Sequence, residues 1–318
     1  MRLLRVMACL VLVTAACGTA ASSNAGPSAT AISTVGAALS ATPAHYPVSV
    51  TDDRGKTLTL SAPPRRIVSL APSATEIVFA LGAGDRLVAV DNFSDFPAEA
   101  GALPHIGGFR TSPETVVSHA PDLILGLKSG NLPAQLTDLK QPLFVFDPDD
   151  LEGVYRNIAV VGTMLDRESE AEKLVAGMRA RIDAVAQKAK TATTTPRVLH
   201  EVDATDPTRV FVAGPHNFID SMITVAGGRN VAADAPLKYP QLTAEQVVAR
   251  DPEVIVLADA AFGVTPEMVA ARPGWGAVRA VKGKAIYPID DNLVSRPGPR
   301  LVLGFEAYIR LIHPELFK

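Results

Sequence analysis

Two glutamates stand out because their surroundings recur. The segment Ser112-Pro113-Glu114-Thr115-Val116-Val117-Ser118-His119-Ala120-Pro121-Asp122-Leu123-Ile124 returns 131 residues later as Thr243-Ala244-Glu245-Gln246-Val247-Val248-Ala249-Arg250-Asp251-Pro252-Glu253-Val254-Ile255. Glu, Val-Val, Pro and Ile are identical at equivalent positions. Each glutamate falls in the first turn of a short predicted helix, where the helix dipole favours a carboxylate. Duplication copies a helix-stabilising residue as readily as a functional one, so the spacing alone leaves both roles open. The other groups able to do chemistry are scattered. Ser69 and Ser73 flank a strand-to-helix turn, but no histidine or carboxylate is assigned to activate either. There is no Gly-x-Ser-x-Gly elbow, Gly-rich phosphate loop or His-Glu-x-x-His. His105, His200 and His216 lack the close spacing of a zinc site. Arg110, Arg296 and Arg300 are candidates for meeting an anionic group. These residues carry no motif of a known enzyme class, which leaves a binding protein, an exported enzyme and a scaffold with no transport role as the readings to separate.

The N-terminus sets the expected location. Arg2 and Arg5 precede an apolar run from Val6 to Val13, followed by Thr14-Ala15-Ala16-Cys17. A basic start, a short apolar stretch and small residues describe an export signal, too short to remain as a membrane span. Thr14-Ala15-Ala16-Cys17 resembles a bacterial lipobox, with Thr14 in place of the usual Leu. On that reading residues 1–16 are a lipoprotein signal and Cys17 is the lipidated first residue of the mature chain, on the outer face of the cytoplasmic membrane. The second cysteine, Cys9, lies within the signal, so no disulfide is expected. Residues 17–45 are nearly all Ala, Ser, Thr, Gly and Pro and carry no charge, the composition of a flexible tether. The whole chain has a formal charge of −3. Without Arg2 and Arg5, 28 basic residues stand against 33 acidic ones, and no basic stripe suggests nucleic acid.

The remaining residues alternate short β-branched runs with helix-period segments, an α/β pattern. Arg66–Leu70, Leu87–Val90, Asp122–Leu125 and Leu143–Phe146 read as strands of one sheet. Arg197–Val202 and Val210–Val212 begin a second set, with a helix over Asn217–Val225. Ser73 with Glu76, and Ser169 with Glu172, have capping-box spacing. Between the sets, a helix over Glu168–Lys190 would span roughly 34 Å. The expected fold is two three-layer α/β lobes joined by one long bridging helix. The lobes would occupy residues 46–167 and 191–318, with the bridge at 168–190.

In order along the chain, Arg66-Ile67-Val68-Ser69-Leu70-Ala71-Pro72-Ser73-Ala74-Thr75-Glu76, Phe93-Ser94-Asp95-Phe96-Pro97, Ile106-Gly107-Gly108-Phe109 and the two Glu-centred repeats resemble the helical-backbone class of ABC solute-binding proteins. The resemblance runs from about Tyr46 to Phe317. The Ser-Asp-aromatic-Pro turn and Tyr239-Pro240-Gln241 look most like the cobalamin-binding members. It implies an importer component that captures cobalamin, a ferric siderophore or haem between its lobes. It also implies docking on a membrane permease through Glu114 and Glu245. Carried over position by position, the ligand contacts would be Phe93, Phe109 and Leu127 on one lobe, and Phe211, Tyr239, Asp291 and Asn292 on the other. Leu127 stands where an aromatic is usual, and the one tryptophan, Trp275, lies outside the matched positions. His216 paired with Tyr239 offers an alternative, axial ligation of haem iron. No resident cofactor is implied, and a monomer is expected.

Overall fold

A computed structural model describes residues 46–108, 111–128 and 130–318. The expected signal, tether and Cys17, together with Phe109 and Arg110, lie outside the described residues. The described chain opens with a hairpin that the sequence reading did not anticipate. Strands β1 (Val48–Thr51) and β2 (Thr57–Leu60) pair antiparallel, and the Asp52 carboxylate closes the turn by accepting the Arg54 and Lys56 amides at 2.9 Å.

The first lobe then alternates strand and helix. Its elements are β3 (Ile67–Ser69), α1 (Pro72–Ala80), β4 (Leu87–Val90), α2 (Pro113–Ser118), β5 (Leu123–Leu127), α3 (Leu132–Asp138), β6 (Leu143–Phe146) and α4 (Leu151–Leu165). The strands are parallel in the order β4-β3-β5-β6. Their side chains alternate between two apolar layers. Ile67, Val90, Leu125, Phe144 and Phe146 pack towards α1 and α4, while Val68, Ala89, Ile124 and Val145 meet Val116 of α2 and Leu136 of α3. A parallel sheet covered on both faces reads as continuous apolar runs, which is why these strands were legible.

Helix α5 (Glu168–Ala189) leads to the second lobe. That lobe contains β7 (Arg197–Asp203), β8 (Arg209–Val212), α6 (Phe218–Val225), β9 (Arg229–Asn230), β10 (Gln241–Thr243), α7 (Ala244–Arg250), β11 (Val254–Leu257), α8 (Pro266–Ala270), α9 (Arg279–Lys282), β12 (Ile286–Pro288), α10 (Asp291–Val294) and α11 (Leu301–Ile312). The sheet order is β10-β8-β7-β11-β12, with β9 beside β7 and β8 antiparallel to both neighbours. Val198, Val254 and Val256 face α6 and α11; Leu199, Ile255 and Leu257 face α7, α8 and the buried Trp275. One apolar core continues from α1 and α4 through Met178, Ile182 and Val185 of α5 to Ile219, Met222, Phe305 and Ile309. The bridge is therefore packed along its length against both lobes, as a stiff spine would be.

The repeat extends into equivalent side-chain bonds. Arg66 begins the first sheet, and its Nε donates to the Ala120 carbonyl at 3.0 Å. Arg197, 131 residues on, donates from Nε to the Asp251 carbonyl at 3.0 Å. Ala120 and Asp251 share a φ of 46°. Asp122 accepts the Arg66 amide at 2.8 Å, and Glu253 accepts the Arg197 amide at 3.0 Å. Each lobe thus ties the loop after its Glu-bearing helix to the start of its own first strand.

Two expected capping boxes did not form. Helix α1 has Ala71 at its N-cap without a side-chain bond, and α5 has Arg167 there, also without one. In the first case the helix already starts at Pro72, which leaves Ser73 inside it, and Glu76 is buried and ion-paired to the other lobe.

Candidate ligand-binding site

In open α/β sheets, ligands sit beyond the carboxyl ends of the strands. Both lobes turn such ends towards each other. Glu76 of α1, which follows β3, accepts Arg300 Nε at 3.0 Å and Nη2 at 2.6 Å. Arg296, beyond β12, reaches Asp95 at 2.7 Å and the Phe93 carbonyl at 3.1 Å, both in the loop after β4. Asp147, which follows β6, receives Lys238 at 2.9 Å. The space framed by these contacts is the interlobe cleft.

Large apolar side chains are left exposed on both of its walls. On the first lobe they include Phe93, 47% exposed, Phe96, 44%, whose ring lies under Arg300, and Leu127, 36%. On the second they include Phe211, 39%, Tyr239, 40%, and Leu237, 62%. Phe93 is held by a buried hydroxyl chain. Its amide donates to Asp91 at 2.8 Å, Ser94 Oγ donates to the same carboxylate at 2.6 Å, and Ser94 and Thr75 hydroxyls are 2.7 Å apart. Thr75 in turn donates to Ser69 at 2.9 Å. Ser69 is therefore a buried member of a positioning network and not a nucleophile. The Phe93 ring packs on Gly108, where a Cβ would lie 2.8 Å from its Cε2. Leu127 ends β5 opposite Phe146 of β6.

On the second lobe, Phe211 pairs with Gln241 across β8 and β10, and the Val212 amide donates to the Pro240 carbonyl at 3.0 Å. That register sets Tyr239 beside the same edge. Burial among its neighbours raises the Tyr239 phenol pKa. The loop carrying His216 touches the loop carrying Tyr239: the Gly214 amide and Asn217 Nδ2 donate to the Lys238 carbonyl at 2.8 and 2.9 Å. Asp291 and Asn292 open α10 after β12, and Asp291 accepts the Ser295 hydroxyl while burial raises its carboxyl pKa.

The sequence reading missed three cleft features. Lys238, paired with Asp147 and, at 2.6 Å, with Asp149, crosses between the lobes. Glu76 of the first lobe does the same with Arg296 and Arg300 of the second. Behind the second wall, Arg272 forks onto buried Glu201 at 2.5 and 2.7 Å and stacks over Trp275. Asp259, in the turn after β11 that packs on α10, is buried beside this pair with no donor to either oxygen. Burial, then Glu201, pushes its pKa up to about 7. A proton there would turn Asp259 into a donor towards Glu201.

Glu114 and Glu245 lie on exposed first turns of α2 and α7. Their own amides and the capping hydroxyls of Ser112 and Thr243 lower both carboxyl pKa values, so both are ionised at neutral pH. A cavity of about 300 Å³ lined by Arg197, Arg229, Asp234 and Arg250 lies elsewhere, at the amino ends of β7 and β9. Strand direction places it away from the cleft. Among the described residues no cluster of three or more His, Cys, Asp or Glu could hold a metal ion.

Comparison with known proteins agrees with this architecture. The model of the periplasmic binding protein family matches residues 67–293. The chain belongs to that family. It is similar to the uncharacterized ABC transporter substrate-binding lipoprotein YvrC of Bacillus subtilis, 32% identical across 86% of this chain and 88% of the relative. A vitamin B12-binding protein of Vibrio parahaemolyticus is 31% identical across 75% of this chain and 86% of its own. Among solved structures, the apo periplasmic haem-binding protein RhuT of Roseiflexus sp. RS-1 superposes with a TM-score of 0.70 at 31% identity, covering 79% of this chain and 99% of that one. This periplasmic binding protein is the substrate-binding component of an ABC transporter, extracytoplasmic and not an enzyme.

Proposed function

We propose that this binding protein captures cobalamin, or a closely related large metal chelate, in the interlobe cleft and hands it to an ABC permease. The observation that carries the reading is the set of four exposed apolar side chains shared by the two lobes: Phe93 and Tyr239 on loops, Leu127 and Phe211 on strands β5 and β8. Convergent apolar groups with a few polar ones mark a ligand site. Aromatic rings suit a broad, flat ligand because they bury much area at little entropy cost. Asp291 and Asn292, with Phe109 beyond the described residues, would complete the contacts. The similarity to a vitamin B12-binding protein supports cobalamin.

The contact between the His216 and Tyr239 loops favours haem as the second reading, with the two side chains as axial ligands. The similarity to RhuT supports it. In both readings Cys17 carries the lipid, residues 1–16 are its signal and residues 17–45 its tether. Glu114 and Glu245 dock the lobes, at 46–167 and 191–318, onto permease arginines. Calorimetric titration with cobalamin, haem and ferric siderophores tests the choice. Calorimetry is preferable to tryptophan emission, because Trp275 is buried under Arg272 and does not line the cleft. Saturable binding of cobalamin alone supports the first reading; binding of haem alone replaces it with the second.

A further inference from the structure

Two ion clusters join the lobes, and strand order sets them at opposite ends of the cleft. In the sheet β4-β3-β5-β6, Glu76 and Asp95 follow β3 and β4, whereas Asp147 and Asp149 follow the far edge, β6. In the sheet β10-β8-β7-β11-β12, Arg296 and Arg300 follow one edge, β12, and Lys238 precedes the other, β10. One bracket therefore closes the β3/β4–β12 end and another closes the β6–β10 end.

The brackets differ in what surrounds them. At the first, the Glu76 side chain is 1% exposed and is gripped by both arginines. The Gly298 backbone also packs so near α1 that a Cβ would stand 3.4 Å from the Ser73 carbonyl oxygen. Opening this end would break three charge-assisted bonds to Glu76 at once, so this bracket resists opening. At the second, Lys238 holds Asp147 and Asp149; the Lys238 and Asp147 side chains are 27% and 28% exposed and Asp149 71%, so no member is buried as Glu76 is. Lys128 takes the other Asp147 oxygen at 3.0 Å. Exposed ion pairs are weak and are screened by salt.

We infer that the lobes are pinned at the Glu76–Arg300 end and part at the Lys238 end, so that Lys238 sets the rate at which ligand enters and leaves. The ligand role rests on the cleft being the binding site. Tyr239 adjoins Lys238, so parting this bracket moves a proposed ligand contact.

Hydrogen–deuterium exchange on the full chain without ligand tests the asymmetry. In Lys238→Met, exchange over residues 146–150 and 235–239 should rise about two- to fivefold, the scale of an exposed ion pair. Exchange over residues 72–80 and 296–301 should stay at its wild-type level, and Lys238→Arg should behave as wild type. An equal rise at both ends, or none, overturns the inference. In stopped flow, cobalamin should associate with and leave Lys238→Met faster, with Kd little changed; unchanged rates beside one-sided exchange overturn the role of Lys238 in ligand entry. One-sided exchange in a protein whose wild type binds no chelate supports the pinned geometry and rejects the proposed ligand instead.

Discussion

Arg300 grips Glu76 across the lobe boundary with two parallel bonds of 3.0 and 2.6 Å. The residues are 224 positions apart, and the carboxylate is almost wholly buried. A forked guanidinium–carboxylate pair is strong and directional. It fixes α1 against the start of α11, and Arg296 beside it holds the loop that carries Phe93.

Glu76→Gln should therefore destabilise the fold by about 3 kcal/mol, the cost of stranding a buried charge. Urea unfolding would show a lower midpoint with an unchanged slope. A double substitution, Glu76→Leu with Arg300→Met, should recover most of that loss, since two apolar groups leave nothing unpaired. A double variant no more stable than Glu76→Gln would contradict the pairing.

The buried carboxyl pair gives a pH signature. Asp259 has a folded pKa of about 7, above its ordinary value, so the folded state holds a proton that the unfolded chain gives up near pH 4. That contribution to stability is complete below the unfolded pKa and is lost as pH rises through about 7. At 1.36 kcal/mol per pKa unit it reaches about 4 kcal/mol. Asp259→Asn should match wild type in urea at pH 4 and exceed it at pH 8. A constant difference between the two proteins over that range would contradict the shared proton.

Gly108→Ala probes the positioning of Phe93. The new methyl would overlap the Phe93 ring, so the ring must move. Such overpacking at a partly exposed site should weaken chelate binding about fivefold while the protein still folds. Unaltered affinity, measured by calorimetry, would remove Phe93 from the contact set.

For docking, Glu114→Ala and Glu245→Ala should each weaken permease binding about tenfold and flatten its salt dependence, as loss of an interfacial charge does. Both variants should keep cleft affinity for the chelate. Binding to the permease in nanodiscs that survives both substitutions together would exclude these carboxylates.

What was legible in the sequence was local. Apolar runs such as Leu143–Phe146 and the long pattern over Met178, Ile182 and Val185 report their own burial, and the structure keeps β6 and α5 within a residue of expectation. The repeat showed in its matched segments, and Arg66 and Arg197 extend it into side-chain bonds. Ser73-Ala74-Thr75-Glu76 was misread because a glutamate three residues after a serine looks the same whether it closes a cap or meets a distant cation. Only a partner 224 residues away distinguishes them. Lys238, Asp147 and Asp149 were missed for the same reason. Asp259 gave no signal either, because a protonated carboxyl looks like any surface aspartate until its neighbours are known. Of the proposed contacts, Phe93, Leu127, Phe211 and Tyr239 share exposure, a property no single position betrays.

Calorimetric titration of cobalamin into wild type and into Phe93→Ala/Tyr239→Ala tests the cleft most directly. The account predicts one saturable site in wild type. It also predicts a loss of about a hundredfold or more in the double variant, the scale of two aromatic anchors, with the thermal midpoint retained. Equal affinity in both proteins, or no binding to folded wild type, would contradict it.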